Sequence, residues 1–312
     1  MGLKINTRKT IGNLCEEVDV LDIVMHPLFH MLYLYKIKAV PVAREKLEEL
    51  RKRIEEKENL LVAFSGGVDS GFLLTVAHEV LGEKVTAVTI DSELFPRREL
   101  KHVKSFLTHR GIPHKIVQFG WQRNEAFVRN PHNRCYYCKK YFSQILKEIA
   151  AEGGITTIAE GVTASDLAKH RPGIVASKEK GIWHPLAEVG ITKTEVRQIA
   201  KEIGLPFWDK PSNPCLATRI AYGERITVEE LEKIEKAEDC LKDMGFKQVR
   251  VRLHHGGIAR IEVGKEEIEI FFDTKMLEDI CGKLKTLGFH YVTLDLEGYR
   301  SGSMDPYQNR PI

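Results

Sequence analysis

Along most of the chain, short apolar runs alternate with longer amphipathic stretches. Residues 59–63, Asn-Leu-Leu-Val-Ala, and 85–90, Val-Thr-Ala-Val-Thr-Ile, have the nearly continuous apolar character of strands buried on both faces. Ahead of them, Val42, Leu47, Leu50 and Ile54 stand among charges at a spacing that predicts a surface helix over 42–58. Gly71-Phe72-Leu73-Leu74-Thr75-Val76-Ala77 reads as a second helix, and 97–110, closed by Gly111, as a third. A strand at 114–119 follows, then a helix over 134–151 carried by Tyr137, Tyr141, Ile145, Leu146 and Ile149, then a strand at 155–160 after Gly153-Gly154. Regular alternation of strand and helix predicts an α/β fold, a parallel sheet with helices on both faces and ligands at the carboxyl ends of the strands.

The pattern changes after residue 190. Thr192 and Glu195 form a capping-box signature that opens a helix and puts Lys193 in its first turn; Gly204-Leu205-Pro206 stops it. The proline-rich stretch 206–214 cannot continue a regular element, which sets the exit from the main domain at 219–225. A second box, Thr227 with Glu230, predicts a helix to 244, followed by strands at 247–253 and 258–263, a helix at 274–287 and a strand at 291–296. This is a small α/β unit of ferredoxin-like character. The expected organisation is an accessory segment over 1–41, a main α/β domain over 42–222 and a small α/β domain over 223–312, with no internal repeat or low-complexity tract.

At 312 residues with 43% hydrophobic positions the chain has the composition of a soluble globular protein. Its net charge of +3 argues against a nucleic-acid coat or a membrane surface, so any basic site must be local. The apolar stretch 20–40 is interrupted by Asp22, His26, His30, Lys36 and Lys38 and falls short of the roughly 18 apolar residues of a membrane span. Met25 and Met31 offer alternative starts for translation. Six cysteines without a signal-peptide pattern fit a cytoplasmic protein with metal-binding or reactive thiols better than a disulfide framework.

The most informative stretch is Phe64-Ser65-Gly66-Gly67-Val68-Asp69-Ser70, lying between an apolar strand and a helix. Small residues there let backbone N–H groups surround an anion, Ser65 and Ser70 add hydroxyl donors, and the helix dipole lies beneath the bound phosphate. No Gly-Lys-Ser/Thr follows, so the loop is not a Walker A motif. It resembles the SGGxDS loop of the N-type ATP pyrophosphatases, or PP-loop enzymes. In this setting Asp69 is placed to hold Mg²⁺ or orient the loop, and Lys193 to bind phosphate. Cys135 and Cys138, one helical turn apart, together with Cys215 in Asn213-Pro214-Cys215-Leu216-Ala217-Thr218-Arg219, suit a soft metal centre with one open position. A [4Fe–4S] cluster is the preferred occupant, with zinc as an alternative. The bland alternatives are a ligand-free glycine turn and three cysteines packed as small hydrophobes; Cys15, Cys240 and Cys281 receive that second reading. Arg219, Arg225, Arg252 and Arg260 gather near the domain junction, where they form an anion pocket or are simply surface charges. His254 and His255 are read as strand-end residues.

With these residues in hand the chain resembles the LarE family of PP-loop sulfur transferases, which act in nickel-pincer nucleotide cofactor synthesis. The resemblance covers 42–305 and rests on Ser65 to Ser70, Arg134 to Lys139, Glu160 to Leu167 with Arg171-Pro172-Gly173, Trp208 to Pro211, Cys215 to Ile220 with Tyr222-Gly223, and Leu294 to Ser303. In one chemistry of that family the cysteine matching Cys215 gives up its own sulfur. In the other, cysteines matching Cys135, Cys138 and Cys215 hold a [4Fe–4S] cluster that delivers sulfide. The three cysteines present here imply the second. The resemblance therefore implies an ATP-dependent sulfurtransferase: ATP, with Mg²⁺, bound at Ser65, Gly66, Gly67, Val68, Asp69 and Ser70 with Lys193 and Arg219; adenylation of a pyridinium-dicarboxylate mononucleotide; and conversion to a thiocarboxylate. It also implies a sulfide or other sulfur donor and a homo-oligomer, while the charge and hydropathy already argue against a nucleic-acid or membrane partner. Two competing readings are a PP-loop tRNA thiolase, which needs a basic face, and an ammonia-dependent ATP pyrophosphatase, which needs no cysteine triad.

Overall fold

The computed structural model describes residues 41–168 and 171–304; the accessory segment up to residue 40, with Cys15, lies outside the described residues. Helix α1 (Pro41–Glu55) leads into β1 (Leu60–Ala63), α2 (Val68–Leu81), β2 (Val85–Asp91), α3 (Arg97–His109) and β3 (His114–Gln118). The chain continues through α4 (Glu125–Val128), α5 (Arg134–Glu152) and β4 (Thr157–Glu160). The four strands are parallel in the order β3-β2-β1-β4. Chain progression reverses between β1 and β4, and their carboxyl ends are in register, Ala63 opposite Glu160. The loops after these strands leave the sheet side by side, opening the crevice in which open α/β sheets bind ligands.

Strand alternation sends neighbouring residues to two different cores. Leu60, Val62 and Ala159 pack with α1 and α2 through Leu50, Ile54, Phe72 and Leu73. Leu61 and Ile158 face the other way, toward Phe142, Leu146 and Ile149 of α5. Helix α2 buries residues on every side because it lies between the sheet and further helices. Glu160 shares the face of Ile158 and so points toward α5.

Four helices follow β4: α6 (Ala164–Leu167), α7 (Pro172–Glu179), α8 (Pro185–Glu188) and α9 (Lys193–Glu202). Both halves of the Thr192–Glu195 capping box are made, and a second box at Thr163–Asp166 opens α6. After a 3₁₀ turn at Leu216–Arg219 come α10 (Val228–Asp243), β5 (Val249–His254), β6 (Ile258–Val263), a 3₁₀ segment Lys265–Phe272, α11 (Thr274–Thr286) and β7 (Tyr291–Leu294). At Thr227 only half of the expected box forms: the hydroxyl accepts from the Glu230 N–H, while the Glu230 Oε2 is buried without a partner.

The small sheet is mixed, β5 and β6 antiparallel and β6 and β7 parallel. Ferredoxin-like topology would insert a further strand between β6 and β7; here these two are direct neighbours. The exit segment instead makes a single parallel bridge, Ile220 to Leu253, at the far edge of β5. The core on the α5 face runs without interruption into this sheet through Ile220, Ile226, Leu231, Ile234 and Val251. Among the described residues no helix is long and apolar enough to cross a membrane.

Candidate active site

The loop after β1 is shaped by what it lacks. Gly66 has φ +70°, and a Cβ there would lie 2.6 Å from Val103 Cγ2. Gly67 begins α2 without a side-chain cap, which leaves the first-turn N–H groups available to an anion. Ser70 Oγ braces the loop by donating to the Gly67 carbonyl at 3.2 Å and accepting from the Ser65 N–H at 3.2 Å, and it lies 3.1 Å from Ser65 Oγ. Phe64 is buried at the foot of the loop, its N–H donating to Val88 O and its carbonyl accepting from Thr89 Oγ1. The loop after β4 closes the other side: a Cβ on Gly161 would stand 2.6 Å from Ser70 N and 2.7 Å from Asp69 C, so only glycine lets the two strand ends meet.

The capping box of α9 delivers Lys193 to this place. Its N–H donates to Ser165 Oγ at 3.1 Å, and its Nζ donates to Asp69 Oδ2 at 2.8 Å. Asp69 Oδ1 is buried with no partner. A carboxylate oxygen left unbonded beside a phosphate loop fits an Mg²⁺ ligand, since this ion is commonly held by one or two carboxylates together with substrate phosphates. The structure therefore brings Ser65 to Ser70 and Lys193 into one cradle at the sheet's switch point.

The cysteines lie on the opposite, α5 face. Cys135 and Cys138 occupy the start of α5, with Cys135 exposed and Cys138 half-buried; Cys215, also half-buried, precedes the 3₁₀ turn. Burial pushes the Cys138 thiol well up, and the charges of Cys215 and Cys135 push it further, against Lys139 and Arg134. Cys138 and Cys215 pack against the same core, and Arg134 and Lys139 flank Cys135 and Cys138 on α5. Among the described residues no group of three His, Cys, Asp or Glu side chains is close enough to share a metal ion. Three thiolates are the donor set of an iron–sulfur cluster with one open iron, or of a zinc ion with one outside ligand.

Between cradle and thiols sit charged residues that pattern reading did not single out. Lys139, next to Cys138, reaches Glu160 Oε2 at 2.8 Å, while the buried Oε1 has no partner. His184 Nε2 lies 3.0 Å from the buried Ser177 Oγ. Burial, with Lys139 and Lys178 and against Glu160, lowers the His184 pKa, so the ring is neutral near pH 7. The usable sequence signal was position: Glu160 ends a predicted strand.

Arg219 is not at the cradle. It is completely buried, and its guanidinium donates to Glu238, Asn213 Oδ1, Thr218 Oγ1 and the carbonyls of Pro214 and Cys215. With every N–H committed to a protein acceptor, it holds the Cys215 turn and has no donor left for a phosphate. Burial raises the Glu238 pKa, but the charge and hydrogen bonds of Arg219, with Arg250 and Lys242, outweigh this and hold the carboxyl below its ordinary value. The other junction arginines are also paired: Arg225 with Glu125, Arg252 with Glu262, Arg260 with Asp295. His254 accepts from Arg260 Nε at 3.0 Å at the end of β5, and His255 is almost fully exposed.

A family model described as a PP-loop domain matches residues 40–219, from the edge of α1 through the turn that carries Cys215. An uncharacterized protein of Synechocystis is 44% identical over 83% of this chain and 97% of its own length. The pyridinium-3,5-bisthiocarboxylic acid mononucleotide synthase of Lactiplantibacillus plantarum is 36% identical over 81% of this chain and 91% of its own. A chain of the glutamine-hydrolysing GMP synthase of Methanococcus maripaludis is 29% identical over 64% of this chain and 72% of its own. The family match spans phosphate loop and cysteines alike, and the likeness to the mononucleotide synthase runs on into the small sheet; the chain belongs to the PP-loop family and is an ATP-dependent enzyme of the LarE type.

Proposed function

We propose that the protein is a sulfur transferase that adenylates a carboxylate of a pyridinium-3,5-biscarboxylate-like mononucleotide and converts it to a thiocarboxylate. The observation that carries this reading is the packing of Cys138 and Cys215 against one core, with Cys135 one helical turn from Cys138, on the sheet whose phosphate loop is joined by Lys193 at Asp69. A substrate carboxylate oxygen attacks the α-phosphorus of ATP, the bond to the β-phosphate oxygen breaks, and pyrophosphate leaves. The carboxylate, a poor electrophile, is now an acyl phosphate ester. A sulfide nucleophile then adds at the acyl carbon, the C–O bond breaks, and AMP departs with the electron pair. The Ser65–Ser70 backbone and Lys193 bind and orient the phosphates, and Asp69 is the residue to hold Mg²⁺. Cys135, Cys138 and Cys215 would hold a [4Fe–4S] cluster, which when bound supplies sulfide from the one iron without a cysteine ligand. Arg134 and Lys139 oppose the upward push that burial and the neighbouring sulfurs exert on the Cys138 thiol, the direction that ligation requires.

The likeness to GMP synthase supports the shared ATP chemistry and needs no cysteine triad. Anaerobic purification with iron and sulfide analysis tests the distinction. About four of each per chain, lost in Cys135→Ala, Cys138→Ala and Cys215→Ala, together with pyrophosphate release that requires the dicarboxylate mononucleotide, are the expected results. Release driven by ammonia in a protein without iron would replace this reading with a synthetase.

A further inference from the structure

Two segments carry the three thiols, and they are joined at one buried side chain. Asn130 lies five residues before Cys135, and Ile220 five residues after Cys215. Asn130 is completely buried, and its φ is +54°, the sole positive value outside glycine among the described residues. It also precedes Pro131, which restricts its backbone further. An L-residue rarely holds that conformation, and such strain persists where the surrounding structure over-determines it.

The surroundings here are specific. Asn130 Nδ2 donates to Ala221 O at 2.8 Å and to Ile220 O at 3.4 Å, on the segment leaving the Cys215 turn. Its Oδ1 accepts from Arg134 at 3.0 Å, in the first turn of α5 beside Cys135. Its backbone carbonyl accepts from the Gly223 N–H at 3.0 Å. The Arg134 guanidinium lies over the Tyr222 ring at 4.2 Å, and the centre of the His132 ring lies 4.4 Å from that of Tyr222. Every polar atom of the Asn130 side chain is therefore bonded to one or other of the cysteine-bearing segments. From this junction two short, stiff arms run to the thiols: the first turn of α5, and the 3₁₀ turn whose Arg219 grips the Cys215 carbonyl.

We propose that Asn130 is a positioning residue that sets the separation of Cys215 from Cys135 and Cys138. This rests on the reading in which the three thiols act together, but it concerns the apo chain's own geometry. The left-handed backbone aims the amide at two carbonyls while leaving its oxygen for Arg134. Glycine would keep the backbone and lose the bridge; aspartate would keep the Arg134 contact and lose the donor; alanine would lose both bridge and backbone tolerance.

The test uses full-length apo protein and a short bismaleimide, with the Cys138–Cys215 cross-link followed by peptide mass spectrometry. In Asn130→Gly the cross-linking rate should fall about tenfold, the weight of one to two lost hydrogen bonds, with the circular dichroism spectrum unchanged. Asn130→Asp should show the same direction, and it carries the test if the glycine variant does not fold. In iron-reconstituted protein reduced with dithionite, the electron paramagnetic resonance signal of both variants should shift from that of wild type. Wild-type cross-linking in Asn130→Gly, or a defect confined to Asn130→Ala, would overturn the clamp in favour of a backbone requirement alone. Wild-type protein that takes up no iron on reconstitution, while its apo cross-linking still depends on Asn130, would sink the cluster and leave the clamp standing.

Discussion

Replacing Gly161 by alanine tests whether the two strand ends must meet as closely as they do. A Cβ at this position would sit 2.6 Å from Ser70 N, 2.7 Å from Asp69 C and 2.7 Å from Ser70 Cα. All three are backbone atoms at the start of α2, so no side chain can rotate away. Ordinary van der Waals contact begins near 3.4 Å, so the strand end and the phosphate loop must separate by about 0.8 Å. Gly161 has no positive φ, which makes the effect steric and not conformational. Overpacking of this kind costs about 1–3 kcal/mol. The displaced atoms are the Ser70 N–H nitrogen, the Ser70 Cα and the Asp69 carbonyl carbon, all in the first turn behind the loop, so the cost should appear as weaker nucleotide binding. At 1.4 kcal/mol per tenfold, the ATP dissociation constant should rise by about 5- to 150-fold. Calorimetric titration of ATP into wild type and Gly161→Ala, with thermal unfolding alongside, measures it. Binding within twofold of wild type at an unchanged melting temperature would mean that the loop is not held by this contact, and that its place at the switch point is incidental.

Lys193→Met removes the partner of Asp69 at a half-exposed position; kcat/KM for pyrophosphate release should fall by about 10²-fold or more while urea stability changes by under about 1 kcal/mol. Glu238→Gln leaves Arg219 charged and fully buried, and should cost about 3–5 kcal/mol in urea unfolding. The Glu238 pKa in the folded protein lies below its unfolded value, so its contribution is present above the ordinary glutamate pKa near 4.3 and is lost as pH falls through the folded value; in Glu238→Gln that part of the acid loss should disappear from stability-against-pH curves. Gly282→Ala adds a methyl to α11 with no atom within 4 Å, and should stabilise by about 0.5–1 kcal/mol; a loss of stability would mean that this helix face is covered.

Features that are local in the chain were legible. The strands that became β1 and β2 announce themselves by apolar runs, the phosphate loop by its small residues, and α9 by a box whose donors and acceptors lie three positions apart. From that box alone Lys193 could be set in a first helical turn, although its partner Asp69 is 124 residues away. Partnerships across the fold left no such trace. Arg219 reads in sequence as a spare cation because arginine is seldom fully buried unless paired, and its mate Glu238 waits on α10, beyond the 3₁₀ turn. Asn130 carries only an Asn-Pro turn signal, which says that the chain bends there and nothing of what the amide will hold. The ferredoxin-like expectation failed for a related reason: helix and strand order matched, while the neighbour relation of β6 and β7 is set by side-chain packing along their length.

The same distinction explains how one sheet positions both the phosphate loop and the thiols. Period-two alternation along β1 and β4 assigns Val62 and Ala159 to the α2 face and Leu61, Ile158 and Glu160 to the α5 face. Phosphate binding is built on the first face, where a helix N-terminus and Lys193 supply positive potential. The thiols are built on the second, where Cys138 is half-buried against the apolar core and α5 brings its own cations. Only at the carboxyl edge, where Glu160 gives way to Gly161, do the faces come within reach of one substrate. On the function proposed above, an activated carboxylate that spans that edge, with its phosphate ester on the α2 side and its acyl carbon turned toward α5, need not travel to meet its sulfur. Two of the buried carboxylate oxygens without partners, Asp69 Oδ1 and Glu160 Oε1, stand one on each side of it. On this geometry Glu160→Gln should leave ATP binding intact and slow the transfer step, whereas Asp69→Asn should weaken binding of the magnesium nucleotide itself; nucleotide titration beside single-turnover thiocarboxylate formation separates the two, and a Glu160→Gln variant that loses ATP affinity would place both groups on one face and dissolve the division.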